Sequence, residues 1–296
     1  MQIEQKWGFI MNLKKKIVCI FAAYDKNNIL KSYVTTYLRY LKDISDYIVF
    51  ISDCFYIDSS IDKIEKYTDY HECIPHGEYD FGSYKRGISY LIRNHLLDHF
   101  DEMILCNDSC LCISPLNDVI KIIRKNSDFG GIVTSKEKKE HIQSFFLLFK
   151  SNVFNSNEFQ LFFSSVKKEK SFLDVVNNYE IILKSYLNAH GFKDNSVFIN
   201  CKLNLTRFPL VMLRRNCPLI KKKCFLDYTY SCQSIFSVFQ FIRKRRFDSL
   251  LDIYDLYNVK SYRELILTNF FPYPNFINLL VLSTKLFVRK FIVKQK

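Results

Sequence analysis

The sequence predicts an α/β protein, a mostly parallel sheet flanked by helices, followed by a basic helical C-terminal extension. Three observations predict it. Short continuous apolar runs of strand length recur through the first 200 residues, as expected of strands buried on both faces. Segments with apolar residues at helical spacing separate those runs, the alternation of a parallel sheet with crossover helices. Turn residues are sparse, with 7 Gly and 6 Pro in 296 residues, and no internal repeat or low-complexity linker breaks the pattern. A hydrophobic content of 48% suffices for a sizeable core and excludes a disordered chain.

The elements follow in order. "KIVCIFAAY" (16–24) reads as a strand buried on both faces, and "ILKSYVTTYLRYLKDI" (29–44) as a helix. "DYIVFISD" (46–53) is a second buried strand and "TDYHECIP" (68–75) a weaker third. "SYLIRNHLLDHF" (89–100) has helical spacing and "EMILCND" (102–108) is a strand. "PLNDVIKIIRK" (115–125) is a helix with Pro at its first turn, and "DFGGIVTS" (128–135) is a strand. "QSFFLLFKSNVF" (143–154) reads as a strand entering a helix. "DVVNNYEIILKSYLNAHGF" (174–192) is a helix closed by Gly191 at a C-cap position. This organisation divides the chain into a first domain, 1–200, and a basic helical region, 201–296.

The charge is unevenly distributed. Residues 1–200 hold 25 Lys and Arg against 25 Asp and Glu, whereas residues 201–296 hold 18 against 5, so the net charge of +13 lies in the last third. Phosphate-rich partners follow from that excess, either nucleic acid or an anionic membrane surface. No RRM, helix-turn-helix or zinc-finger pattern is present, which argues against nucleic acid. The 10 cysteines show no paired C-x-x-C at zinc spacing, and the apolar run after the basic start reads as a core strand rather than a signal peptide. Buried, reduced thiols in a cytoplasmic protein are the expectation.

Ligands of parallel α/β sheets bind beyond the carboxyl ends of the strands. Two polar motifs fall there: "YDFGSYKRG" (79–87) after the third strand, and "CNDSC" (106–110) after the strand at 102. Asn107, Asp108 and Ser109 offer one carboxylate and two neutral oxygens, a donor set suited to Mg²⁺ or Mn²⁺. The same three residue types also serve as plain turn formers.

Four blocks carry a resemblance: "GEYDFGSYKRGI" (77–88), "DEMILCNDSCLCISPL" (101–116), residues 128–163 and "VVNNYEIILKSYLNAHGF" (175–192). In order and spacing they resemble the rhamnan synthesis protein F family, polysaccharide-assembly proteins related to GT-A glycosyltransferases. The resemblance implies a GT-A-like, Rossmann-type sheet over residues 1–200. It implies donor contacts from Asp80, Gly82, Lys85, Arg86, Asn107 and Gln143. Asp108 and Ser109 would hold Mn²⁺ or Mg²⁺ against the nucleoside diphosphate. Glu180 would be the catalytic base and His141 would lie in the acceptor or diphosphate pocket. Where the family carries Asn-x-Gly before the Tyr-Asp-Phe-Gly run, this chain has "HGE", so His76 or Glu78 stands in that place.

The last third interleaves cations with Phe, Ile and Val, in "IRKRRF" (242–247) and "KLFVRKFIVKQK" (285–296). Residues 276–293 are too interrupted by charge to span a bilayer and fit an interfacial helix on anionic lipid. The expectation is a cytoplasmic glycosyltransferase, peripheral at the inner face of the plasma membrane. It would move a sugar, rhamnose from dTDP-rhamnose by the family name, from a nucleotide-sugar donor to a polysaccharide or lipid-linked glycan. The alternative is a non-catalytic module of the same fold that binds glycan or lipid carrier.

Overall fold

The run at 17–23 becomes a central strand because both of its faces find cover. Ile17, Cys19, Phe21 and Ala23 enter one apolar core, and Val18, Ile20 and Ala22 enter the other, the two-residue alternation of a pleated strand. The computed structural model describes residues 15–199, 204–227, 230–245, 248–259 and 264. In chain order the strands among them are β1 (Ile17–Ala23), β2 (Tyr47–Ser52), β3 (Tyr70–Cys73), β4 (Glu102–Asn107), β5 (Cys110–Cys112), β6 (Phe129–Ser135), β7 (His141–Ile142), β8 (Phe146–Lys150), β9 (Asp194–Ile199) and β10 (Leu219–Lys221).

One sheet has the order β3-β2-β1-β4-β8-β6-β7, with β9 on β6. Strands β3, β2, β1 and β4 run parallel. β8 runs against both β4 and β6, and β9 is parallel to β6. The expected mostly parallel α/β sheet is therefore found, with β7 and β8 reversed. β5 and β10 form a separate antiparallel pair, Lys221 opposite Cys110 and Leu219 opposite Cys112.

Helices Ser32–Lys42 and Asn117–Ile123 cover one face, and helices Tyr79–Arg93, Asn157–Ser164 and Ile181–Ala189 cover the other. The helix expected at 89–100 begins ten residues earlier, so "YDFGSYKRGI" is its first half rather than a loop before it. Gly77, at φ +69°, makes the turn that precedes it, a backbone region that costs glycine nothing. Gly87 lies inside the helix, where a Cβ would stand 2.5 Å from Ile20 Cγ2. Its lack of a side chain lets the helix settle on β1. The helix expected at 174–192 is a short helix Phe172–Val175, a π-turn Val176–Glu180 and a helix Ile181–Ala189. Gly191 ends it at φ +89°, as expected for a left-handed cap.

The described part of the basic region packs on the sheet. Val238, Phe239 and Ile242 of helix Ile235–Arg245, and Leu250 and Ile253 of helix Asp248–Leu256, share a core with Phe21 and Phe50. Asp255 Oδ2 accepts from Ser32 N at 2.6 Å, and buried Asp252 accepts from Ser32 Oγ at 2.9 Å and Thr36 Oγ1 at 3.1 Å. The helix start at Ser32 has no side-chain cap from Lys31, so these distant carboxylates supply the missing acceptors. The expected interfacial helix at 276–293 and the boundary at 200/201 lie outside the described residues. No helix among the described residues is long and apolar enough to cross a membrane. The nine described cysteines are free and seven of them are buried.

Candidate active site

The carboxyl ends of β1, β2 and β4 open into a cleft of about 780 Å³. Three strands stop here with polar or small residues. β1 supplies Ala22 and Ala23, the end of β2 leads into Asp53, and β4 ends in Asn107, followed by Asp108 and Ser109. Asp80, from the first turn of helix Tyr79–Arg93, completes the floor. Exposed Tyr24, Tyr79 and Phe172 stand along the lining, and the Tyr79 and Phe172 rings lie 5.9 Å apart between centroids.

The floor is a directed hydrogen-bond chain. Asn107 Oδ1 accepts from Ser109 N at 3.2 Å and from Ser109 Oγ at 2.5 Å, which turns its amide nitrogen toward Asp80 Oδ2 at 2.8 Å. Asp80 Oδ1 accepts from Phe81 N at 3.1 Å. Burial, and next the charge of Glu180, push the Asp80 carboxyl up to about 6, against the opposing pull of Lys221. At the far wall Asp53 Oδ1 accepts the backbone N–H groups of His76 at 2.5 Å and Gly77 at 2.7 Å. His76 Nδ1 accepts from Glu78 N at 3.1 Å, so Nε2 carries the proton shared with Ser83 Oγ at 3.0 Å. Burial holds this imidazole below its usual range.

Glu180 and His141 are brought together beside this floor. Glu180 Oε2 accepts from Ser144 N at 3.0 Å and from Ser144 Oγ, and His141 Nε2 lies 3.6 Å from Glu180 Oε1. The other imidazole nitrogen donates to Lys139 O at 2.7 Å. Tyr84 Oη donates to Ser144 O at 3.0 Å, joining helix Tyr79–Arg93 to the same group. Glu180 sits on a π-turn, a distortion frequent at functional sites.

Of the sequence candidates, Asp80, Asn107, Asp108 and Ser109 meet in the cleft, and Glu180 and His141 meet next to it. Four others do not reach the lining. Gly82 is buried against Glu78, the N-cap residue of its helix. Lys85 Nζ donates to Val166 O at 2.5 Å. Arg86 lies 3.8 Å from Glu72 and 3.6 Å from Glu78, and both cations line a separate hollow of about 470 Å³. Gln143 is buried, with Nε2 donating to Asn204 Oδ1 at 3.2 Å. For the three positions of helix Tyr79–Arg93 helical geometry is the reason: Asp80 faces the strand ends, while 82, 85 and 86 lie elsewhere around the turn.

Asp53, Tyr33, Lys221 and Lys222 were not singled out by the sequence. Asp53 had a signal, since it follows directly on a buried strand of the parallel sheet. The two lysines had none. Lys222 Nζ donates to Asp108 Oδ2 at 3.0 Å and to Tyr33 Oη at 2.9 Å, and Tyr33 Oη donates to Asp108 Oδ2 at 3.2 Å. Lys221 Nζ donates to Ser109 Oγ at 2.8 Å. A divalent cation held by protein alone needs several oxygen ligands, whereas Mg²⁺ bound with a nucleotide takes one or two carboxylates together with phosphate oxygens and waters. Among the described residues no group of three or more His, Cys, Asp or Glu is placed to hold one. With ammoniums already on Asp108 and Ser109, these residues do not fit a resident divalent ion.

A family model described as rhamnan synthesis protein F matches residues 48–270. Virulence protein VirA of Vibrio anguillarum is 27% identical over 183 residues, which are 60% of this chain and 58% of that protein. The chain thus spans rather more than half the length of the curated relative it matches. Among solved structures, a 4-diphosphocytidyl-2C-methyl-D-erythritol synthase aligns with a TM-score of 0.41 and 12% identity, over 69% of this chain and 99% of its own. The glycosyltransferase GlyE of Streptococcus pneumoniae TIGR4 aligns with a TM-score of 0.41 and 12% identity, over 80% of this chain and 64% of its own.

Proposed function

The chain belongs to the rhamnan synthesis protein F family, and on that premise we propose that it is a glycosyltransferase of polysaccharide synthesis. The donor is a sugar nucleotide, dTDP-rhamnose by the sense of the family name. The acceptor is a growing, lipid-linked glycan. The observation that carries the reading is the cleft itself, where Asp80, Asn107, Asp108 and Ser109 converge at the carboxyl ends of β1, β2 and β4 under an aromatic rim. Aromatic faces of this kind stack on bases, and a half-buried carboxylate beside them accepts from ribose or sugar hydroxyls.

In this reading Glu180 takes the proton of the acceptor hydroxyl. The acceptor oxygen forms a bond to the anomeric carbon as the carbon–oxygen bond to the diphosphate breaks. The electron pair leaves on the nucleoside diphosphate. The two Ser144 hydrogen bonds hold the Glu180 carboxylate in place, and His141 lies beside its other oxygen. A divalent cation would supply charge neutralisation at the diphosphate; in this chain it would have to arrive with the nucleotide. Attachment to an anionic membrane surface through 276–293 is part of the proposal and rests on the charge pattern alone.

The test is a sugar-nucleotide screen with the full chain, reading thermal shift and release of nucleoside diphosphate. One sugar nucleotide is expected to raise the melting temperature and to be slowly hydrolysed. Binding with no hydrolysis and no transfer to any glycan would favour the non-catalytic module, the reading that Asp108's being the lone carboxylate at 107–109 supports.

A further inference from the structure

Lys168 and Lys170 lie on the cleft lining itself, whereas the Asn107–Ser109 corner takes a second pair of cations from behind, on β10 and the residue after it. β10 pairs antiparallel with β5, directly after the Asn107–Ser109 corner, and Lys222 N donates to Ser109 O at 2.9 Å. This backbone register brings two adjacent lysines, more than 110 residues away in sequence, onto the corner. Lys222 forms an ion pair with Asp108, whose side chain is only 13% exposed. Lys221 differs. It is half-buried, its nearest partners are the neutral Ser109 hydroxyl and the face of Phe145, 4.5 Å away, and among the described residues it has no carboxylate within ion-pair distance. Its charge acts instead on Asp80 from beyond ion-pair distance, where it pulls that carboxyl down, so it is only loosely compensated. A structural clasp would need Lys222 alone.

We propose that Lys221 and Lys222 are the diphosphate-binding element of this cleft, filling the charge role that a resident divalent cation would otherwise have. The inference rests on the glycosyltransferase reading for its ligand, a nucleoside diphosphate. Each ammonium has three N–H donors. Lys222 uses two on Asp108 and Tyr33, and Lys221 uses one on Ser109 and one over the Phe145 face. Each therefore keeps one donor for a phosphate oxygen entering beside Ser109. The two ammoniums stand against Asp108 and, at longer range, Asp80, so the cations are not outnumbered where the phosphate enters. Ammoniums fixed by backbone register and hydrogen bonds lose little on meeting the charge that develops on the leaving diphosphate. Asp108, in this arrangement, positions Lys222 and Tyr33 and does not ligate the metal.

The experiment measures binding of UDP, GDP, CDP, dTDP and inorganic pyrophosphate to the full chain by calorimetry, in EDTA and in Mn²⁺. At least one nucleoside diphosphate is expected to bind in EDTA. K221Q and K222Q should each weaken it about tenfold or more, the scale of losing a hydrogen bond to a charged group. K221R and K222R should retain most of it, and K223Q, a neighbour off the corner, should not change it. D108N gives the opposite sign from a metal site: it should strengthen binding in EDTA severalfold, because it removes the carboxylate that competes for Lys222. That arm decides the matter even where a glutamine variant fails to fold. Binding that requires Mn²⁺, is abolished by D108N and is indifferent to K221Q and K222Q would overturn the proposal and leave the glycosyltransferase reading intact. Absence of binding by every diphosphate in both buffers would overturn both.

Discussion

Asn107 Nδ2 donates to Asp80 Oδ2 at 2.8 Å, and this bond joins the end of a central strand to the first turn of the helix that covers it. Ser109 fixes the donor's orientation by occupying Asn107 Oδ1. Asp80 is thus a carboxylate with a set direction, raised to about 6 by burial first and by Glu180 second.

That position has a pH consequence. In the proposed donor site the ionised form of Asp80 is the hydroxyl acceptor, so affinity for the sugar-nucleotide donor should rise as pH passes upward through about 6, and the inflection should vanish in Asp80→Asn. Stability should move the other way. The folded carboxyl titrates near 6 and the unfolded one near 4, so between them the unfolded chain binds fewer protons. Folding stability contributed by this group therefore falls as pH rises from about 4 to about 6. Melting temperatures of the wild type and Asp80→Asn across pH 4–8 should converge at the acid end and favour the variant at neutral pH.

Glu180→Gln should lower kcat by about 10²–10⁴ with little loss of donor affinity. Because the Glu180 charge raises Asp80, the same variant should shift the binding inflection to lower pH. A normal kcat at saturating acceptor would remove Glu180 from the reaction. An unmoved inflection would separate it electrostatically from Asp80.

Gly87→Ala should destabilise by about 1–3 kcal/mol, the range for overpacking a filled core, since the added Cβ meets Ile20 Cγ2 at 2.5 Å. Adding Ile20→Ala should recover part of that loss, a coupling readable in a double-mutant cycle by urea unfolding.

Much of the scaffold was legible because burial on two faces writes itself as unbroken apolar runs. β1, β2, β4 and β6 fall within the runs at 16–24, 46–53, 102–108 and 128–135. The helix start at Tyr79 was not legible: glycines at 82 and 87 look like loop residues until the packing of Gly87 on Ile20 explains one of them. β5, β7 and β10 have two or three residues each, too short for any periodicity to appear. Asp80, Asn107, Asp108 and Ser109 could be found because strand ends are predictable places. Lys221 and Lys222 could not, because their position depends on a strand pairing between segments that share no local pattern.

Asp255→Ala should cost about 1 kcal/mol, the usual size of a lost helix cap, because Ser32 N loses its acceptor. Thermal unfolding gives the measurement. An unchanged melting temperature would mean that the Asp255 carboxylate does not act as the cap of helix Ser32–Lys42.

The β5–β10 pairing also sets a schedule for synthesis. Ser109 and Lys221 are 112 residues apart, and at about 5–20 residues per second a ribosome takes roughly 6–20 s to travel from one to the other. During that interval β6, β7, β8 and β9 are made, and the central sheet can be complete only after β9 ends at Ile199, 22 residues before Lys221. An emerging chain therefore passes through a short stage in which the strands of the central sheet are all present and the lysines proposed to bind the diphosphate are still to come. On that proposal, diphosphate binding begins only when the basic segment is translated and β10 closes on β5.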